Sequence, residues 1–170
     1  MRGGAGLGRA CGGAILCLVL LGVPAGAGVP DDAQKSRVTH VSDGDTAYLK
    51  GLEYGTKAST IEGRKARFIG VDTPEVYTDP PDCYGKKASR FTTRKLEGER
   101  VKVTYGEDTE DQYGRALIYI WLDGKLFNKK LVRKGFATVE IYEPNDLYEK
   151  RLRTAEDAAR ENERGLWDAC

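Results

Sequence analysis

The sequence predicts an α+β domain that is mainly β, with five strands and three α-helices. Five short segments are rich in Val, Ile, Thr, Tyr and Phe, and turns containing Gly or Asp separate them. Three other segments show the apolar spacing of helices. The chain is long enough for one domain with one hydrophobic core. The predicted strands are Ser36 to Val41, Thr46 to Lys50, Lys65 to Val71, Arg100 to Tyr105 and Ala116 to Leu122.

Each predicted helix is defined by its apolar residues and by the residues that start or stop it. Apolar faces of this kind indicate core packing more often than a partner site. The helices are Lys86 to Glu97, Asn128 to Lys134 with a stop at Gly135, and a last helix capped by Asn145 or Asp146 and ended by Gly165. The residues expected to point inward are Ala88, Phe91 and Leu96 in the first helix and Leu147, Leu152, Ala155 and Ala159 in the last.

The N-terminus has the pattern of a secretory signal peptide. Arg2 and Arg9 precede an apolar run at residues 14–23, and the small residues 25–27 suit cleavage. The run is shorter than the roughly 20 residues that span a membrane, so a retained anchor is the weaker alternative. We therefore expect a signal peptide at 1–27, a flexible arm at 28–35 and a folded domain at 36–170. The mature protein is expected to be secreted or extracytoplasmic, monomeric and without a membrane segment.

Removal of the leader leaves two of the four cysteines, Cys83 and Cys170. In an exported chain such a pair favours a disulfide, which would join the loop before the first helix to the end of the chain. Spacing does not show that the two Cβ atoms approach each other, so pairing between two chains is the alternative.

The net charge provides little overall attraction to polyanions. The chain has 27 Lys and Arg against 26 Asp and Glu, and without Arg2 and Arg9 the remaining 25 basic residues give a formal charge of −1. Binding of a nucleic acid would therefore depend on local basic stretches such as Arg64-Lys65 and Lys86-Lys87. For the two helical lysines, a solvated face explains the sequence equally well.

The segment from Arg67 to Glu75 carries the strongest chemical signal. Strand alternation places Arg67, Ile69 and Val71 on one face, so the guanidinium lies among apolar residues and needs an anionic partner. Asp72 and Glu75 follow where the strand ends. Arg67 either pairs with one of these acids to hold the turn or binds a phosphate, because its planar fork suits both anions.

Two companion motifs supply further charged groups. Asp43 and Asp45 flank Gly44 between two apolar runs, and the segment Asp111 to Arg115 places an arginine at the start of a strand. Each motif alone could be a plain turn, because Asp and Gly favour turns for local reasons.

Together, the three motifs contain the groups that phosphodiester cleavage requires. Asp45 and Asp72 offer hard oxygen ligands for calcium or magnesium, Glu75 can act as a base, and Arg67 and Arg115 can stabilise negative charge. The sequence argues against a zinc site, because it has a single histidine and no Cys-x-x-Cys pair. It also argues against a nucleotide-binding site, because it has no Gly-x-x-x-x-Gly-Lys-[Ser/Thr] loop.

Five motifs in the same order resemble the staphylococcal nuclease (thermonuclease) family, over residues 36–168. The resemblance implies an OB-fold Greek-key barrel of five strands with three helices. It also implies a calcium-dependent nuclease that acts on DNA and RNA with low sequence specificity and cleaves the 5′ P–O bond to leave 3′-phosphates. The motifs are Asp43-Gly-Asp-Thr46, Arg67 to Glu75, Tyr84-Gly-Lys-Lys-Ala-Ser89, Asp111-Gln-Tyr-Gly-Arg115 and Gly165-Leu-Trp167.

The resemblance also assigns roles to residues. Glu75 would accept a proton from the attacking water or orient it, and the two arginines would bind the phosphate. By motif, the catalytic residues are Arg67, Glu75 and Arg115, and the calcium ligands are Asp45, Asp72 and the backbone carbonyl of Thr73.

Tyr113 and Tyr142 are candidate substrate contacts. A tyrosine beside a strand more often packs, so Tyr113 has that alternative. Tyr142 matches one of two family tyrosines thought to flank the base, and the other has no clear counterpart. The chain also departs from the family in a longer segment from Gly51 to Arg64, expected to be a mobile hairpin, and in an acidic, proline-containing loop from Val76 to Tyr84.

Two other functions stay open at this point. A non-catalytic OB-fold module could bind single-stranded nucleic acid, and such a module could lose Glu75 or an arginine without penalty. A protein-interaction or envelope-structural domain would instead expose an apolar patch, which the sequence does not obviously contain.

Overall fold

The protein folds as a closed barrel of five strands surrounded by helices. The computed structural model describes Met1, residues 28–55 and residues 63–170. Residues 2–27 of the predicted signal peptide and residues 56–62 of the predicted hairpin lie outside the described residues. The strands are β1 (Gln34–Val41), β2 (Thr46–Lys50), β3 (Arg64–Phe68), β4 (Arg100–Glu110), β5 (Ala116–Leu122) and β6 (Lys125–Leu126). The helices are α1 (Gly85–Leu96), α2 (Phe127–Arg133), α3 (Glu149–Glu161) and α4 (Leu166–Ala169).

The strand order β3-β2-β1-β4-β5 returns on itself, because β3 also pairs with β5. That closing pair is parallel, with Ala66 opposite Ala116, while the other pairs are antiparallel. The two-residue strand β6 continues the sheet beyond β5. The prediction of a mainly β, OB-fold barrel with five strands is therefore confirmed, and β6 was not predicted.

The hydrophobic core fills the barrel and extends beneath the helices. Alternate residues of each strand point inward, as Ala66 and Phe68 do in β3. A second, smaller cluster of Ile69, Tyr119, Trp121 and Leu126 lies outside this core, with Val29 of the predicted arm packed against it.

The third strand ends earlier than predicted. Gly70 has φ +77°, which turns the chain out of the extended conformation after Phe68. As a consequence Val71 belongs to the barrel core together with Phe68, while Ile69 belongs to the outer cluster. The prediction that Val71 shares a face with Arg67 was wrong, because alternation stops at this turn.

The first two helices begin and end within one residue of their predicted limits. The last long helix begins only at Glu149, so neither Asn145 nor Asp146 is its N-cap. Asn145 is buried and bonds the backbone of Asp108 instead, with its Oδ1 accepting from the N–H and its Nδ2 donating to the carbonyl, both at 3.0 Å. Leu147, predicted to point inward, precedes the helix and is 69% exposed.

Cys83 and Cys170 form a disulfide, with their Cα atoms 5.9 Å apart. The bond joins the loop before α1 to the end of the described chain. In residues 28–55 and 63–170, no helix is long and apolar enough to cross a membrane.

Candidate active site

A cleft of about 560 Å³ gathers five of the residues that the sequence singles out. The walls come from the end of β3, the turn before β5 and the extended segment that follows α2. Arg67, Glu75, Tyr113, Arg115 and Tyr142 all line it. The structure thus brings together side chains from positions far apart in sequence.

Arg67 occupies the inner wall of the cleft and is largely buried. Its Nη1 donates to Asp45 Oδ1, and its Nη2 donates to Asp72 Oδ1 at 2.7 Å. Glu140 Oε2 lies 3.8 Å from the same Nη2. Three carboxylates therefore converge on one guanidinium, and Glu75 is not one of them. The pairing of Arg67 with one acid of its turn, here Asp72, was one of the two interpretations of the sequence.

Asp45 lies beneath the cleft with its side chain only 2% exposed. Its Oδ2 accepts from the backbone N–H of Thr73 at 2.7 Å and from the Thr73 hydroxyl at 2.8 Å. Its other oxygen accepts from Thr46 Oγ1 at 3.1 Å as well as from Arg67. A buried carboxylate is stable only when paired and hydrogen-bonded, and these donors meet that requirement.

Asp43, on the other side of Gly44, is not part of this cluster. Its Oδ1 accepts from the backbone N–H of Asp45 at 3.2 Å, so it shapes the turn. Burial raises the pKa of Asp43 above its ordinary range, while the Thr46 side chain and the charge of Arg67 oppose that shift.

Asp72 and Thr138 exchange two backbone hydrogen bonds, at 3.0 and 2.8 Å. This isolated bridge ties the loop after β3 to the segment after α2 and brings Glu140 to the cleft. Sequence reasoning missed Glu140, since nothing local in the sequence relates it to Arg67. The signal that existed is its position two residues before Tyr142 in an extended stretch, where side chains two apart share a face.

Glu75 is exposed to solvent at the cleft, on a backbone that its neighbours hold in place. Asp82 accepts from the Glu75 N–H at 3.1 Å and donates its own N–H to the Glu75 carbonyl at 3.0 Å. Gly85, the first residue of α1, packs so closely that an added Cβ would lie 2.5 Å from the same carbonyl. The acidic loop is also fixed at Tyr77, whose hydroxyl donates to the Ser42 carbonyl at 2.5 Å. The loop that replaces a flexible family segment is therefore anchored at both ends.

Arg115 is oriented by Asp111, four residues before it in the turn that leads to β5. Asp111 Oδ1 accepts from the backbone N–H groups of Tyr113 and Arg115, both at 2.9 Å, and Oδ2 accepts from Arg115 Nε at 2.6 Å. One carboxylate thus builds the turn and holds the guanidinium toward the cleft. That ion pair uses Nε, so it leaves the Nη N–H groups of Arg115 for an anion.

The two candidate tyrosines project from the rim. Tyr113 is 63% exposed and lies beside Arg115, whose guanidinium carbon is 5.4 Å from the ring centroid. Tyr142 is 70% exposed and donates its hydroxyl to Glu140 Oε1 at 2.8 Å. That hydrogen bond and the charge of Glu140 raise the pKa of Tyr142. Both rings are exposed at the cleft, and an exposed ring is what stacking on a base requires.

The predicted calcium ligands lie together. Asp45 and Asp72 both bind Arg67, and Thr73 is hydrogen-bonded to Asp45. Two carboxylates that converge on one organic cation, with backbone oxygen close by, form a donor set that fits a hard metal ion. Across residues 28–55 and 63–170, no three His, Cys, Asp or Glu side chains cluster closely enough to hold a metal on their own.

The cleft is acidic despite its two arginines. Six carboxylates line it against Arg67 and Arg115, so an entering phosphate would meet a net negative surface. A bound cation would offset that repulsion. The six are Glu75, Asp108, Glu110, Asp111, Glu140 and Glu143.

Several known proteins are similar in sequence to this chain over most of its length. A family model described as Staphylococcal nuclease homologue matches residues 65–169. A thermonuclease of Staphylococcus hyicus is 36% identical over 136 residues, which cover 79% of this chain and 76% of that protein. A thermonuclease of Staphylococcus intermedius is 36% identical over 133 residues, covering 77% and 74%. Endonuclease YncB of Bacillus subtilis is 31% identical over 151 residues, covering 83% and 67%.

Proposed function

Because the chain belongs to the staphylococcal nuclease family and is a nuclease, we propose that it is an exported, calcium-dependent endonuclease for DNA and RNA. The observation that carries this proposal is the convergence of Arg67, Glu75 and Arg115 on one cleft. These are groups that hydrolysis of a phosphodiester needs and folding does not. The relatives are named thermonuclease and endonuclease, and these names support the same reaction class.

Glu75 acts on the attacking water. Its side chain is exposed in the cleft while its backbone is fixed by Asp82, which supports a role for the solvated carboxylate in accepting a proton from water. As the water oxygen bonds to phosphorus, the bond from phosphorus to the 5′ oxygen breaks, and that oxygen takes up a proton from solvent and leaves as a 5′-hydroxyl. The product strand that keeps the phosphorus ends in a 3′-phosphate.

Arg67 and Arg115 bind the phosphate oxygens. Both are held by carboxylates before substrate enters, Arg67 by Asp45 and Asp72 and Arg115 by Asp111. Oriented donors of this kind need no reorganisation when negative charge develops, so they stabilise the transition state more than the ground state. Since these contacts are to phosphate, they carry no sequence preference.

Asp45, Asp72 and the Thr73 carbonyl would hold the metal ion. When bound, calcium neutralises phosphate charge and orients a water molecule. The acidic lining of the cleft supports this assignment, since without added positive charge six carboxylates oppose a phosphate.

Export is supported by the predicted leader and by the disulfide, since disulfides persist in oxidising compartments. We propose that the mature protein is a secreted or envelope-associated monomer.

The decisive experiment measures cleavage of single- and double-stranded DNA and of RNA in calcium or in a chelator. We expect cleavage in calcium alone, a loss of about 10² to 10⁴-fold in kcat for Glu75→Gln, and about 10² to 10³-fold for Arg115→Ala. End-group analysis should find 3′-phosphates.

A matched control exists for the arginine. Arg153 bonds Glu149 four residues before it through Nε at 2.6 Å, the same pairing as Arg115 with Asp111, but on the surface of α3. Arg153→Ala should leave kcat unchanged. Binding without cleavage, or cleavage that survives both site substitutions, would refute the proposal.

A further inference from the structure

One face of α1 carries a dense group of positive charges. The helix contains five Lys and Arg and no Asp or Glu. At about 100° per residue, Lys86, Lys87, Arg90 and Arg94 fall within one sector about 100° wide. All four are exposed.

Among the residues that the structure describes, none of these cations forms an ion pair, whereas both cleft arginines do. Their charge is therefore not balanced locally and is available to an external anion.

Three of them line a surface depression of about 340 Å³: Lys86, Lys87 and Arg90. Tyr84 forms another part of its wall, with Lys87 Nζ 4.7 Å from the ring centroid. The one acidic side chain in the lining is Asp82, and its Oδ2 is occupied by the N–H of Glu75 at 3.1 Å.

The depression is connected to the cleft through the backbone of Glu75. Asp82, in its wall, bonds both the N–H and the carbonyl of Glu75. Gly85, immediately before Lys86, packs directly against that carbonyl. A chain of phosphates that leaves the cleft on the Glu75 side would therefore reach the first turn of α1.

The positive surface continues from α1 onto α2. Burial lowers the pKa of Lys130, and the neighbouring charges of Lys95 and Lys134 lower it further. Cations close enough to repel one another are a surface on which a polyanion is stabilised.

We propose that Lys86, Lys87 and Arg90 form a phosphate-binding subsite for the part of a nucleic-acid strand that extends from the cleft past Glu75. The subsite rests on the proposed function, since the same strand is the substrate. It supplies affinity without base contacts, and it lets a protein of nearly neutral charge hold a polyanion.

The test measures binding by fluorescence anisotropy in calcium, with Glu75→Gln present throughout to suppress cleavage. The probes are a dinucleotide, which only fills the cleft, and a single strand of about 12 nucleotides, within the usual range of such sites. Changing Lys86, Lys87 and Arg90 to Gln together should weaken binding of the long strand at least tenfold at low salt. The slope of log K against log salt should fall by about 2, as expected for three lost phosphate contacts on a single strand. Dinucleotide binding should change less than twofold.

A control triple variant changes Lys35, Arg37 and Lys102 to Gln. It also removes two lysines and one arginine, all exposed, on strands β1 and β4 where Lys35 lies opposite Lys102. This patch lies past the far end of α1, a helix about 18 Å long. The control should bind both probes as the parent does, and a charge-conserving variant, Lys86→Arg with Lys87→Arg and Arg90→Lys, should retain long-strand binding.

Equal losses in the two triple variants would mean a general field effect and would overturn the subsite. An equal loss for dinucleotide and long strand would overturn it too, because the cleft itself would then be altered. The proposed function is tested separately by calcium-dependent cleavage. If the wild-type protein fails to cleave while the Glu75→Gln background still shows the length-dependent loss, the function is refuted and the subsite is kept.

Discussion

Arg67 makes the ion pair that one interpretation of its sequence predicts, and its place in the cleft is compatible with the other interpretation, phosphate binding. It pairs with Asp45 and Asp72 at the end of β3, and it also lines the cleft. The two arrangements are compatible because a guanidinium has five N–H donors, and two carboxylates do not occupy all of them. The ion pairs fix the orientation of Arg67, which lowers the entropy that phosphate binding would otherwise cost.

Glu140 opposes the binding of an anion by Arg67, because its carboxylate lies 3.8 Å from Nη2. We expect Glu140→Gln to lower KM for an oligonucleotide about two- to fivefold, the effect of one partly exposed charge pair. Steady-state kinetics at low salt measure this. The control is Glu143→Gln, which should change KM less. Glu143 lies on the same cleft wall but forms no ion pair with Arg67 among the described residues. A KM that rises in Glu140→Gln would contradict the prediction and make Glu140 a favourable contact.

The sequence predicted five of the residues that line the cleft, because each motif is local and its chemistry can be interpreted from residue type. Glu140 could not be predicted in this way. It reaches Arg67 through the backbone bridge between Asp72 and Thr138, which lie 66 residues apart. Contacts of that range depend on the packed fold and leave no periodic signal in the chain.

At the scale of the helices and strands, predictions succeeded where local signals define the ends. Strands β2 and β5 have their predicted limits, and α1 and α2 differ by one residue. The failures at the end of β4 and at the start of α3 occur where a distant contact decides, whereas β3 ends early at the local turn of Gly70. Strand β4 continues to Glu110, past the predicted end at Tyr105, through an irregular stretch that Asn145 holds by bonding the Asp108 backbone. The same contact removes Asn145 from the helix start, where its residue type predicted a cap.

The hydroxyl of Tyr119 on β5 donates to the Asn145 carbonyl at 3.1 Å and is buried. Burial, with smaller contributions from Tyr148 and Asp146, raises the pKa of Tyr119 above its ordinary value of 10.0. The folded protein therefore holds this proton more tightly than the unfolded chain does. The resulting stability is complete below pH 10 and is lost as pH rises toward the folded pKa.

Tyr119→Phe should lower the free energy of unfolding at pH 7 by about 1 to 2 kcal/mol, since a buried acceptor loses its donor. Above pH 10 the variant should lose stability less steeply than the parent. Some decline will remain, because burial also raises the pKa of Tyr105 and of Tyr148. Urea unfolding at several pH values tests this, with exposed Tyr113→Phe as the control. Parallel curves for parent and Tyr119→Phe would contradict it.

For the whole molecule, the near-zero net charge conceals a separation of charge. Carboxylates line the cleft. Lysines and arginines that form no ion pair among the described residues lie on the exposed face of α1. The composition gives only the sum, so the sequence predicts weak overall attraction to nucleic acid but leaves open whether Lys86 and Lys87 form a functional surface. That distinction required the helix to be placed next to Glu75.

The disulfide between Cys83 and Cys170 spans 87 positions of sequence. Closing a loop of this length should stabilise the fold by about 4 kcal/mol, mainly by restricting the unfolded chain. The variant with both cysteines changed to serine should therefore melt about 8 to 16 °C lower, at roughly 2 to 4 °C per kcal/mol. Calorimetry of the variant and of the parent with reductant should give the same lower midpoint. A midpoint equal to that of the oxidised parent would show that the bond adds no stability.

The same bond makes a covalent ring of the chain from Cys83 to Cys170. Of the elements in the described residues, the ring contains helices α1 to α4 and strands β4 to β6, while strands β1 to β3 lie outside it. A protease that cuts once inside the ring leaves both pieces joined, with Arg115 still attached to the fragment that carries Glu75. A cut between Glu75 and Cys83 instead divides the cleft, because Arg67 and Glu75 then belong to a piece held only by non-covalent contacts. Survival of a single nick thus depends on the side of Cys83 at which the nick falls.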